Sequence, residues 1–544
     1  MLTMRMPGWT VAAVTLFLAL PSRASSAELP GDYPSMGKAI DILTPAPDYS
    51  DVAAERPRSV AIMRARAHGF VPSPELHDYV KNILDRLLAG VPLPASFTPD
   101  VRILAAPDYN ALCTPDGTLV VSIGLLEQSE TDDEIAFILG HEVSHAILKH
   151  HDSDWFTRTQ YYAVMNAQSL STVAAGAQAL GGGGLGNALG GLQRGINIAT
   201  KVYELSENVL TPRFQQGQED QADALGFDLM VRAGYNPDGA QRALQRLALS
   251  EEAAAQAAEA AKEAEAEEEQ SGGLFGGGGG GGGGLFGGGG GGGGGLFGGG
   301  GGGGGGGLLS GALGGMNVGG IGTLDFGAIA DEALDLATDQ MAEDAVPHRP
   351  ASERADFLVE YQFREYRDLI PGDVAALPWA ADAPQSDANW ALAATMANYR
   401  SANVVVDHLQ GRDTADVDTS ASYAVQNPTT NHAYTQFALA RLRDSENNAA
   451  EAEAARRAAI ASPEPSWIAY NAEIDERIEQ SDFVGADATM AQAVARFEDS
   501  PVLLPKRILI QTRLGNTAEA DRLIAQCTGY DIRELHDQCE AAAQ

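Results

Sequence analysis

Apolar positions recur at helical spacing over most of this chain, and only two short stretches read as strands. From Pro74-Glu75-Leu76-His77-Asp78-Tyr79-Val80 onward, Leu84, Leu87 and Leu88 keep one apolar face, which predicts an amphipathic helix. The segments Val101–Leu104 and Thr118–Ile123 are the predicted strands, and Asp116-Gly117 between them marks a turn. A second helix is expected to start at Thr131-Asp132-Asp133-Glu134. There the Thr oxygen and the Glu carboxylate can satisfy free amide donors in a capping box. It continues through Ile135, Ile138, Leu139 and Val143 to Lys149 and His150, where cations suit the negative end of the helix dipole. His150 and His151 are read as exposed residues at that helix end.

Punctuation divides the remainder. Residues 169–195 are rich in Ala and Gly and weakly patterned. An Ala/Glu-rich stretch over 250–270 leads into long glycine runs broken by Leu274-Phe275, Leu285-Phe286, Leu296-Phe297 and Leu308-Leu309. Glycine loses the most backbone entropy on ordering, and so few apolar pairs do not offset it, so this tract reads as a linker. From about Ser386 to Gln544 the pattern is of helical hairpins. Ser462-Pro463 and Ser500-Pro501 bracket helices around Trp467–Ile478 and Val484–Phe497, and a further pair flanks Leu514-Gly515-Asn516. Ala493, Phe497 and Pro501 fit part of a tetratricopeptide pattern.

Charge and targeting narrow the function. The 544 residues carry 36 basic against 73 acidic side chains, which argues against nucleic acid as a partner. Arg5, the apolar run Val11–Leu20, Pro21, and small residues at Ser25 and Ala27 form a cleavable export signal, so residues 1–27 are expected to be removed. No other apolar run is long enough to span a bilayer, so no transmembrane anchor is expected. Of three cysteines, Cys527 and Cys539 lie close in sequence and could bond in an oxidising compartment. Cys113 reads as a small buried residue.

The chemistry centres on His141-Glu142-Val143-Ser144-His145. Residues four apart share a helix face, so both imidazoles can reach one metal ion, and the glutamate between them can take a proton from water. A catalytic zinc site usually takes a third protein ligand. Downstream, Glu219 and Asp223 also lie four apart on a predicted helix that ends before Gly234, so one could bind metal while the other holds an imidazole N–H.

HExxH followed by E-x-x-x-D resembles the M48 family of metallopeptidases, which are gluzincins. Asn110-Ala111 with Pro115-Asp116-Gly117 is similar to the family's N-A…P-x-G hairpin, and Ala233-Gly234-Tyr235-Asn236-Pro237 to its A-G-Y-x-P. His348-Arg349-Pro350 with Arg354 resembles H-P-x-x-x-x-R, with one residue added between His and Pro. The leader and the C-terminal hairpins bring the chain near the periplasmic assembly-enhancing proteases. The resemblance spans about 76–354.

It implies one Zn2+ per chain on His141, His145 and Glu219, with Glu142 as general base and Asp223 supporting a ligand histidine. It further implies Leu119, Val120, Val121, Ser122 and Ile123 as an edge strand that pairs with extended substrate. His348 would cap the zinc in a latent state, and Arg354 would steady that segment or the oxyanion. The expected fold class is α+β. A mainly helical gluzincin-type metallopeptidase domain with a small sheet (28–249 and 323–375, interrupted by 250–322) precedes an all-α, tetratricopeptide-like domain at 386–544. The expected function is hydrolysis of unfolded or stalled envelope proteins in the periplasm, with outer-membrane assembly machinery as a partner of the repeats. The rival reading is a chaperone or assembly scaffold in which peptidase activity is secondary.

Overall fold

The computed structural model describes residues 37–65, 68–151, 216–252 and 350–544, together with Phe214 and apart from short gaps beyond 374. The expected export signal, the stretch 169–195, the glycine tract and His348 lie outside the described residues.

Three short helices, α1 (Ala39–Ile42), α2 (Ser50–Ala53) and α3 (Arg56–Arg64), lead into α4 (Pro74–Leu88). Helix α4 starts where its sequence says. Ser73 Oγ accepts from the Leu76 N–H at 3.3 Å, Pro74 pre-sets the first turn, and Leu76, Val80, Ile83, Leu84 and Leu87 form its buried face. A three-stranded sheet follows: β1 (Asp100–Leu104), β2 (Ala111–Cys113) and β3 (Thr118–Ser122). Its order is β1-β3-β2, with β3 parallel to β1 and antiparallel to β2. Gly117, at φ 83°, closes the β2–β3 hairpin in a conformation that suits glycine.

The expected edge strand is therefore a central one. Both rows of β3 backbone groups are taken by neighbours, so Leu119–Ser122 offers a peptide no free ladder. Ile123 is not in the strand; it opens α5 (Ile123–Gln128), whose N-cap Ser122 accepts from Leu125 N–H at 3.0 Å. The outer side of β1 is itself partly covered, since Val71 N–H donates to Ile103 O and Ala105 N–H to Gly69 O. Among the described residues the remaining outer strand is β2. Ser122 N–H donates to Asn110 O and Thr114 N–H to Thr118 O, so by antiparallel alternation Ala111 and Cys113 turn their backbone groups outward.

Helix α6 (Asp132–Ile147) carries the HExxH residues, and α7 (Gln216–Arg232) lies against it. The approach is close because glycine faces glycine. A Cβ on Gly226 would stand 2.6 Å from the His141 backbone nitrogen, and one on Gly140 would stand 2.9 Å from Gly226 O. Helix α7 ends in a Schellman motif at Gly234 (φ 79°), with Tyr235 N–H to Met230 O and Gly234 N–H to Val231 O. Helix α8 (Ala351–Glu365) packs on α7, and Tyr361 and Tyr366 both donate to Asp228.

The C-terminal region is all helical. Helix α9 (Asp387–Leu409) contributes Leu392, Met396, Tyr399 and Val405 to the same core as the sheet and α6. A separate core forms from Trp467, Tyr470, Ile474, Met490, Phe497, Leu504, Ile508 and Leu523 on the later helices. Helices Trp467–Glu479, Phe483–Phe497, Leu504–Arg513 and Thr517–Cys527 follow the expected hairpin punctuation. Cys527 and Cys539 are joined by a disulfide, while Cys113 is a buried free thiol. Among the described residues no helix is long and apolar enough to cross a membrane.

Candidate metal centre

The capping box at the start of α6 forms in part. Thr131 Oγ1 accepts from Glu134 N–H at 3.3 Å, while the Glu134 carboxylate takes the Glu130 N–H. Glu134 is fully buried, and Arg242 and Arg246, from helical residues 238–252, hold it at 3.1 and 2.8 Å. This anchors the helix N-terminus, and the sequence then fixes which side chains share its inner face two turns on.

On that face His141 and His145 converge with Glu219 of α7. The two Nε2 atoms are 3.2 Å apart, with Glu219 Oε2 3.6 Å from His141 Nε2 and Oε1 3.9 Å from His145 Nε2. Zinc–nitrogen bonds of about 2.0–2.1 Å in a tetrahedron imply a nitrogen–nitrogen edge of roughly 3.3 Å. The three side chains are buried, and their ligand atoms all lie within 4.8 Å of one another. The donor set fits a divalent transition metal, and these residues could hold one.

Glu142 points beside this triangle, its Oε1 4.0 Å from His141 Nε2. Burial pushes its carboxyl up to about 7, against the pull of His141, while a hydrogen bond from the Cys113 backbone favours the charged form. The outer strand β2 thus runs beside the glutamate suited to proton transfer and donates the Cys113 N–H to it.

Asp223 and Arg354 organise the carboxylates and one imidazole. Asp223 Oδ1 accepts from His141 Nδ1 at 2.8 Å. Arg354 of α8 grips Asp223 in bidentate fashion, at 2.9 Å through Nε and 2.7 Å through Nη2, and reaches Glu219 Oε2 at 3.3 Å. Burial alone would raise Asp223, but the charges and hydrogen bonds of Arg354 and His141 together outweigh it and hold Asp223 well below the usual carboxylate range. Burial and Arg354 press His141 down, yet Asp223 and Glu219 outweigh them, so its net shift is upward. Burial and the neighbouring imidazoles lower His145, which favours its neutral form.

Two features depart from the sequence reading. Helix α6 ends at Ile147 rather than running to His150, because Lys149 takes a left-handed conformation at φ 52°. His150 then turns back under the helix instead of lying exposed at its end. It is 9% accessible, with Nδ1 3.0 Å from His145 Nδ1 and Nε2 3.1 Å from Gln221 Oε1. His151 is half-buried and donates to Cys113 O at 2.6 Å. Phe214 stacks on the His145 ring, centroids 3.6 Å apart. No local sequence signal marks a lysine that leaves a helix left-handed, so the His145–His150 contact was not readable.

Comparison with known proteins bears on this geometry. Residues 74–278 match the model of Peptidase family M48. The chain carries an M48 peptidase domain. It is 27% identical over 173 residues to the metalloprotease LoiP of Escherichia coli, an alignment covering 32% of this chain and 58% of that protein. It is likewise 27% identical over 194 residues to a beta-barrel assembly-enhancing protease of Yersinia pestis, covering 34% and 35%. The mitochondrial metalloendopeptidase OMA1 of Arabidopsis thaliana is 27% identical over 148 residues, 27% of this chain and 25% of its own. The chain thus spans between a quarter and about three-fifths of the length of these relatives, and what aligns in all three is a protease. The M48 domain, the mainly helical α+β architecture and the small sheet agree with the fold class expected from the sequence.

Proposed function

We propose that this chain is a zinc-dependent endopeptidase that hydrolyses unfolded or misassembled proteins of a bacterial cell envelope. The observation that carries the reading is the buried convergence of His141, His145 and Glu219 with Glu142 beside them.

Zinc bound by those three side chains would act as a Lewis acid toward the scissile carbonyl and the attacking water. Glu142 accepts the water proton and returns it to the leaving amine; a carboxyl lifted toward neutrality by burial is suited to both directions. Asp223 fixes His141 through Nδ1, and Arg354 compensates two carboxylates that would otherwise repel each other. An extended substrate pairs with the outward backbone groups of β2 at Ala111, because the Cys113 carbonyl is held by His151 and its N–H by Glu142; such pairing gives affinity with little demand on sequence. The expected export signal, with relatives named as a metalloprotease, a beta-barrel assembly-enhancing protease and a mitochondrial metalloendopeptidase, supports an exported protein quality-control role. On this reading His348 belongs to a latent-state cap, and the C-terminal hairpins are tetratricopeptide-like surfaces for clients or for outer-membrane assembly machinery.

Two measurements on the full chain test the proposal. Purified protein should hold about one zinc per chain, lost in His141→Ala. Glu142→Gln should keep the metal while cleavage of an unfolded protein falls by about 10²–10⁴-fold. Metal-free wild type would end the enzymatic reading, and retained cleavage by Glu142→Gln would remove that residue from the mechanism. The scaffold reading gains only if Glu142→Gln still supports envelope assembly in cells.

A further inference from the structure

The two candidate ligand histidines are supported differently. His141 leans on a carboxylate, Asp223, at 2.8 Å. Among the described residues none offers a carboxylate to the Nδ1 of His145; that atom meets another imidazole, His150, at 3.0 Å. Backbone geometry explains why. Helix α6 ends in a Schellman motif in which His150 N–H donates to His145 O (2.9 Å) and Lys149 N–H to Ala146 O (3.2 Å). That motif brings the residue after the left-handed position back against the residue five before it, a contact most often apolar. Here the pair is His145 and His150. Gln218 Nε2 donates to His150 O at 3.2 Å and holds the turn against α7.

Of the two proton orders this chain allows, one opens His145 to a metal. Gln221 Oε1 accepts from His150 Nε2 at 3.1 Å, which leaves His150 Nδ1 bare. That nitrogen accepts from His145 Nδ1–H, so His145 presents its bare Nε2 lone pair to His141 and Glu219. The reverse order, with the Gln221 amide donating, would put a proton on His145 Nε2 and close that position to a metal. We propose that His150, oriented by Gln221, is a positioning residue that holds the His145 ring and its metal-binding tautomer. The inference rests on the metal-site reading above.

Zn2+ affinity by chelator competition, with the absorption spectrum of the Co2+-substituted protein, provides the test. His150→Ala should weaken Zn2+ binding by about 10–100-fold and change the Co2+ spectrum, as loss of an orienting partner does. His150→Asn, whose amide oxygen can accept at the place of Nδ1, should recover to within about threefold of wild type. Wild-type affinity and spectrum in His150→Ala would overturn the proposal while leaving the metal site intact. A loss that Asn does not restore, with the spectrum unchanged and the metal-free protein melting lower, is a packing effect and also overturns it. If His150→Ala does not fold, Gln221 decides. Gln221→Glu, which can only accept, should bind Zn2+ at least as tightly as wild type, and Gln221→Leu several-fold more weakly; equal affinities overturn the proposal. Zinc absent from wild type and all variants would instead remove the metal site itself.

Discussion

The two cores of this molecule are built on opposite terms. The one around α6 buries charge: Asp133, Glu134, Glu219, Asp223, Asp228 and Arg354 are all below a tenth exposed. The one formed by the later helices is assembled from Trp467, Tyr470, Phe497, Leu504 and their neighbours and is closed by a disulfide. A buried ion is tolerated only where partners replace water, and replacing such networks with apolar groups is often neutral or stabilising. A region that keeps the costly arrangement, with each charge specifically held, is where chemistry is to be sought. The apolar core needs no explanation beyond packing.

Removing one partner of the charged network should break this contrast most visibly. Arg354→Leu leaves Asp223 and Glu219 facing each other without their shared cation. We expect the metal-free protein to lose about 3–5 kcal/mol, the usual cost of stranding a buried charge. Zinc should restore part of that loss by neutralising Glu219, so the melting temperatures with and without metal should diverge more than in wild type. Equal losses in both states would mean that Arg354 serves α8 packing alone.

The apolar core should answer differently. Phe497 is fully buried, edge-on to Trp467 and Tyr470, and Phe497→Ala should cost about 3 kcal/mol or somewhat more. Cutting the Cys527–Cys539 link, which closes 12 residues, should cost about 2–3 kcal/mol by chain entropy. Neither change should alter zinc affinity by more than about twofold, since sites that far apart in contacts behave independently. A large change in affinity from Phe497→Ala would show that the two cores are coupled.

How far the sequence reaches follows the same division between local and tertiary causes. The HExxH helix was legible because its cap, its apolar face and the four-residue spacing of the histidines are all local. Glu219 and Asp223 were legible as a pair on one helix face, but which helix they oppose depends on Gly140 meeting Gly226, a contact between residues 86 positions apart. Strand β2 escaped residue-level reading because three wholly buried residues show no alternation, and only the N-A…P-x-G resemblance pointed to a hairpin there. The substrate-edge assignment failed for a related reason. Strand order is set by pairing, and nothing within Thr118–Ser122 says that it will lie between two partners. His150 was misplaced because a left-handed Lys149 is a rare conformation for a side chain to adopt, imposed by the contacts it allows.

The mildest way to sharpen the comparison is acid, because buried neutral histidines exist outside the metal centre too. Burial, helped by the nearby Arg441 charge, lowers His68 to about 3, and burial lowers His432 to about 4. His68 sits edge-on to Tyr434 with centroids 4.6 Å apart, and His432 meets Tyr399 Oη at 3.1 Å. In the unfolded chain both rings would take protons near pH 6.5. Between about pH 6.5 and 4 the unfolded state therefore binds more protons than the native one, and stability falls as pH drops. Each ring contributes at most about 1.4 kcal/mol per pH unit in that window. Asp223, held low, adds a loss of the same sign only below about pH 4, where the unfolded carboxyl protonates first. Urea midpoints at pH 7.5 and 5.0 should therefore differ, and His68→Phe should reduce that difference without moving zinc affinity at pH 7.5. An unchanged difference in a His68→Phe, His432→Phe double variant would assign the acid sensitivity wholly to the metal-site histidines, and bound zinc should then suppress it.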